Sequence, residues 1–68
     1  MNTKTSTTEY VKNLNANDRF MVPGVNTVYV CERRRTEGSM TTVYYRVEGV
    51  RGGFNFTRVN LSIVHVVN

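Results

Sequence analysis

The stretch Thr27–Val50 reads TVYVCERRRTEGSMTTVYYRVEGV and decides the fold class. β-Branched and aromatic residues, which suit strands, lie on both sides of the turn signal Glu37-Gly38. With Glu37-Gly38 as a two-residue loop, and Gly38 supplying the positive φ, Thr36 faces Ser39. The pairs then run back as Arg34–Thr41, Glu32–Val43, Val30–Tyr45 and Val28–Val47. Side chains alternate across a strand, so one face holds Val28, Val30, Val43, Tyr45 and Val47. The other face pairs Arg35 with Met40, Arg33 with Thr42, Cys31 with Tyr44 and Tyr29 with Arg46. A slip of one residue would set valines against arginines, so hydrophobic matching selects this register.

Working outward, Gly52-Gly53 predicts a second tight turn. It sets Arg51 opposite Phe54, Gly49 opposite Phe56 and Val47 opposite Arg58, which brings both phenylalanines onto the Val47 face. Pro23-Gly24 predicts a type II turn, and Asn15–Asp18 is turn chemistry in which Asn tolerates positive φ. Asn60–Ser62 breaks the chain before the apolar run Ile63–Val67. Glu9–Leu14 fits either one helical turn or an extended segment, with Tyr10, Val11 and Leu14 packing in both cases. Five strands result, at about 18–22, 26–35, 40–50, 54–59 and 63–67. Residues 1–8, MNTKTSTT, are polar and predict a flexible tail, which leaves residues 9–68 as a single small β domain.

These five short strands, with hairpins joining the second, third and fourth, resemble an SH3-like barrel. The lead-in Leu14-Asn15-Ala16-Asn17-Asp18-Arg19-Phe20 is similar to the L-x-x-G-D-x-F/V opening of such barrels, with Asn17 standing where glycine is usual. The resemblance covers about residues 14–67 and implies an all-β, five-stranded barrel or strongly bent antiparallel sheet. SH3-like barrels include nucleic-acid binders, ribosomal and transcription-factor domains, peptide binders and many small phage proteins, so the fold carries little function. A groove for proline-rich peptides needs Trp and an acidic loop. This chain has no Trp and no acidic cluster.

At 68 residues the chain supports one small core and a stability of a few kcal/mol. Its formal net charge is +4, and of its nine basic residues seven are Arg. Arg forks onto phosphates and stacks on rings in ways Lys cannot. Arg33-Arg34-Arg35 is the sharpest motif; alternation sends Arg33 and Arg35 to the polar face and Arg34 to the other. Tyr29, Tyr44 and Arg46 share that polar face with Cys31, and Arg51 and Arg58 extend the basic surface. Exposed aromatics beside Arg form a stacking platform for unpaired bases. The same set suits a protein interface, an ordinary solvated sheet surface, or cover by the N-terminal segment.

The expected function is therefore nucleic-acid binding through Arg33, Arg34, Arg35, Tyr29, Tyr44, Arg46, Arg51 and Arg58. The alternative is a phage or mobile-element protein that docks on an acidic host protein. No enzyme activity, metal or cofactor is expected, because no His, Asp or Cys stands at a catalytic or ligating spacing. The lone Cys31 suits a reducing cytoplasm, and MNTKTSTTEY lacks the apolar core of a signal peptide. No run approaches the roughly 20 apolar residues of a membrane helix.

Overall fold

A computed structural model of the chain describes residues 6–67. It is an all-β antiparallel sheet of six strands: β1 (Ser6–Tyr10), β2 (Arg19–Met21), β3 (Tyr29–Glu37), β4 (Met40–Val47), β5 (Phe54–Val59) and β6 (Ile63–Val67). The spatial order is β1-β6-β2-β3-β4-β5. Most of the expected tail, residues 1–5, lies outside the described residues. Its last three, Ser6–Thr8, pair with Val67, Val66 and His65, so the N-terminal segment supplies a sixth strand.

The sheet curls without closing, since β1 and β5 are its two edges. A single 3₁₀ turn, Val11–Asn13, follows β1 and reaches β4, four places away in the sheet order. Glu9–Leu14 thus combines both expected conformations, a strand and then a turn. Val11 and Leu14 drop into the concave face, where they are buried with Phe20, Cys31, Val43 and Val64. Tyr10, expected to pack, is 42% exposed.

The lead-in turn behaves as its residues predict. Asn17 takes φ 73°, the left-handed conformation Asn tolerates. Asn17 N donates to Cys31 O at 2.7 Å, and Cys31 N donates to Asp18 O at 2.8 Å. Gly24 has φ 85°, and Val25 N donates to Val22 O at 2.9 Å, as a type II turn over Pro23-Gly24 requires.

Both hairpin registers differ from expectation. In the first, Glu37 pairs with Met40, so the two-residue loop is Gly38-Ser39, with Gly38 (φ 59°) at its first position. A loop that places Gly first is as acceptable as one that places it second. The pairs become Thr36–Thr41, Arg34–Val43 and Arg33–Tyr44, a slide of two residues that leaves each side chain on its expected face. The second hairpin slides by six, to Tyr45–Phe54, Val43–Phe56 and Thr41–Arg58, with residues 48–53 as its loop. There Gly49 (φ 83°) and Gly52 (φ 93°) adopt positive φ, and Gly53 does not, so the Gly52-Gly53 turn is corrected to a wider loop.

One irregularity does change faces. β3 bulges between Cys31 and Arg33, so Glu32 has no partner on β4. A bulge adds one residue and inverts the alternation beyond it. Cys31 and Tyr29 therefore turn to the concave side, opposite Tyr45 and Val47. Val30 pairs with Arg46 and is buried, though outside the central cluster, while Val28 is half-buried. Of the residues expected together on the apolar face, Val43 is fully buried, Val47 and Phe56 are half-buried on the expected side, and Phe54 is 41% exposed. Val30 is buried as well, but on the other face, and Val28 is half-buried.

Candidate functional site

The eight expected site residues fall on both faces of the sheet and in one loop, and the bulge accounts for the change of face of Tyr29. Arg33 and Arg35 on β3, and Tyr44 and Arg46 on β4, come together on the convex face. The Arg33 guanidinium carbon lies 4.4 Å from the centre of the Tyr44 ring. That arrangement stabilises an exposed pair by about 0.5–1 kcal/mol and holds the planar cation over the ring. Arg35 binds Glu37 at 2.7 Å, and Arg46 lies 3.8 Å from Glu32. Both pairs are well exposed, so each contributes ~0–1 kcal/mol and can open for a ligand.

The other four sit elsewhere. Arg34 points to the concave side and is held there, its Nε donating to Leu14 O at 2.6 Å. Arg58 is also on that side, its guanidinium carbon 5.4 Å from the Phe56 ring centre. Arg51 is exposed in the loop 48–53. Tyr29 stacks on Tyr45, with ring centres 4.5 Å apart and planes at 30°. Arg34 thus lies on the side that alternation predicts, whereas Tyr29, expected on the polar face, is corrected to the concave side.

Two groups of residues were missed. On the convex face, Asn55 pairs with Tyr44 and Thr57 with Thr42, the two hydroxyls 2.8 Å apart. Correct placement of the 48–53 loop would have revealed them. On the concave face, Tyr29, Tyr45 and Phe54 form a continuous stack, with Tyr45–Phe54 at 5.6 Å and 28°. Phe20 meets Tyr29, Tyr45 and Phe56 edge-on beneath it. Alternation after the bulge would have placed Tyr29 there, but nothing in the residue pattern marks the bulge.

The hairpin tip is fixed by polar contacts. Buried Thr41 shares a hydrogen bond with Thr36 (3.0 Å) and donates to Asn60 Oδ1 (2.7 Å), while Asn60 Nδ2 donates to Gly38 O (3.0 Å). The β3–β4 tip is thereby tied to the β5–β6 turn, which orients the strands carrying Arg33, Arg35 and Tyr44.

Cys31 is fully buried, and burial pushes its thiol pKa up; Asp18 adds to this and Arg34 opposes it. Burial also raises the Tyr45 hydroxyl, with Tyr29 adding to it. A group whose pKa is raised on folding stabilises the fold below its unfolded pKa, and that contribution is lost as pH climbs through the folded value. The contribution of Cys31 to denaturant midpoints should therefore begin to fall at about pH 7.5, a unit below the pKa of about 8.5 of an unfolded thiol, and continue to fall above it. Cys31→Ala should remove the earlier part of the fall and leave the later, tyrosine part. A thiol reagent at pH 8 should modify native Cys31 only at the rate of unfolding. Fast labelling of folded protein would contradict this burial.

Among the described residues, no three His, Cys, Asp or Glu side chains converge to hold a metal, and no helix is long and apolar enough to cross a membrane. Compared with known proteins, the chain matches no family model, no curated protein and no solved structure.

Proposed function

We propose that this protein is a non-enzymatic binding module that takes single-stranded nucleic acid on the convex face of β3, β4 and β5. One observation carries the reading: Arg33 rests on the Tyr44 ring with no carboxylate partner among the described residues. A planar cation over an aromatic ring offers a base a stacking surface and a phosphate a fork at the same point. Arg35 and Arg46 flank it, and Asn55, Thr42 and Thr57 supply neutral hydrogen-bonding groups alongside. The net charge of +4 favours a polyanion from a distance. The buried single thiol of Cys31 suits a reducing compartment such as the cytoplasm.

Fluorescence anisotropy with labelled single strands and duplexes of DNA and RNA tests this. Binding should be tighter to single strands, and log affinity should fall linearly with log salt, by about 0.7 per phosphate contacted. No anisotropy change with any of these at low salt would overturn the reading.

The second reading is a protein partner, such as a host protein bound by a small phage or mobile-element protein. It is favoured by Val59, Leu61 and Ile63, alternate residues around the β5–β6 turn that are 54%, 59% and 45% exposed. Capture of a partner that survives nuclease treatment, together with silent anisotropy, would make it the leading one.

A further inference from the structure

β5 is an edge strand whose outer side pairs with nothing among the described residues. Of the devices that usually guard an edge, its sequence, FNFTRV, has a single charged side chain and no Pro, no Lys, no acid and no bulge on its pairing with β4. Its one charge, Arg58, already lies over the Phe56 ring. Phe54, Phe56 and Arg58 face the concave side, because they pair with Tyr45, Val43 and Thr41; Asn55 and Thr57 face the convex side, with Tyr44 and Thr42.

We infer that β5 pairs with β5 of a second copy of this chain, in antiparallel register about a two-fold axis at Phe56. An isologous contact must match each residue with one on the same face. Centring on Phe56 does so with complementary chemistry throughout. Phe56 meets its own copy, and each Arg58 meets Phe54, a cation against a ring that is otherwise 41% exposed. Each Asn55 meets Thr57, two hydrogen-bonding side chains. Centring on Thr57 instead would set Asn55 against Val59 and leave Phe54 without a ring or cation opposite. The Phe56-centred dimer continues the sheet across the junction and carries its concave aromatic stack from one subunit to the next. It also places two Arg33–Tyr44 pairs on one convex face.

Sedimentation equilibrium of the full chain tests this. Its mass should rise from 7.8 kDa toward twice that value with concentration. The double substitution Asn55→Lys/Thr57→Lys sets like charges opposite each other twice and should weaken association roughly tenfold. Asn55→Glu/Thr57→Lys sets opposite charges in the same places and should restore it. Hydrogen exchange needs no variant: β5 amides should gain protection as concentration rises, while β1 amides do not. A chain that stays at 7.8 kDa up to millimolar concentration would overturn the inference. So would association that the double-lysine variant does not weaken, or a dimer whose β5 amides exchange as in the monomer.

Discussion

Phe20→Ala should abolish the cooperative unfolding transition of this domain. Phe20 is the largest fully buried side chain, with no exposed surface. It lies on β2 between Tyr29 and Val66, its partners on either side, and its ring meets Tyr29, Tyr45 and Phe56 edge-on at 5.6, 6.4 and 6.3 Å. Truncating a buried Phe costs about 3–5 kcal/mol in lost transfer energy and cavity. A core drawn from fewer than 70 residues leaves only a few kcal/mol in total, so the variant has little or nothing left. Collapse cannot fill the gap, because β2 is only three residues long and its other side chains, Arg19 and Met21, alternate to the opposite face. Thermal and denaturant melts followed by circular dichroism should show a broad slope where the parent shows a step. Phe54→Ala, in the same aromatic cluster but 41% exposed, should keep the step at a lower midpoint. A cooperative melt for Phe20→Ala within ~1 kcal/mol of the parent would mean that the aromatic cluster does not hold the sheet together.

The combined substitution Arg33→Ala/Tyr44→Ala should lower affinity for single strands by about a hundredfold. A base stacked on an aromatic ring contributes about 1–3 kcal/mol, and Arg33 adds one phosphate contact. The two losses differ in their salt behaviour. Tyr44→Ala alone should lower affinity equally at all salt concentrations, while Arg33→Ala should also reduce the salt slope by about 0.7. Tyr44→Phe keeps the ring and should bind as the parent does. Arg58→Ala removes equal charge from the concave face, where Arg58 lies over Phe56, and should leave the stacking contribution intact. If Arg58→Ala and Arg33→Ala weaken binding alike, attraction is a matter of net charge and the Arg33–Tyr44 pair has no special part in it.

How much of this was legible follows from a parity argument. The all-β class came from strand-favouring composition and turn residues, and both belong to local chemistry. Positive φ at Asn17, Gly24 and Gly38 was also local, because steric limits on each residue's own backbone decide it. The hairpin registers differ from expectation by two and by six residues. Both slips are even, so Arg33, Arg35 and Tyr44 stayed on one face and Phe54 and Phe56 on the other. The Arg33–Tyr44 pair was visible to that extent.

The bulge at Glu32 is an odd shift, and no residue there announces it. Two alternations were open to the run Val28–Cys31: one buries valines, the other buries Tyr29 and Cys31. Local propensity does not separate them, since Val, Tyr and Cys are all acceptable on either side of a strand. The choice depends on what lies across the concave face. Phe20 approaches Tyr29 from β2, the Asn17–Asp18 turn binds the Cys31 backbone, and Tyr45 offers a ring to stack on. Those contacts join residues 9 to 16 positions apart and exist only once the sheet has curled. The chain alone therefore specified strands, turns and the charge that a partner would meet. Long-range packing decided which side of the sheet Tyr29 and Cys31 occupy, where the edges fall, and that Ser6–Tyr10 forms the sixth strand beside β6.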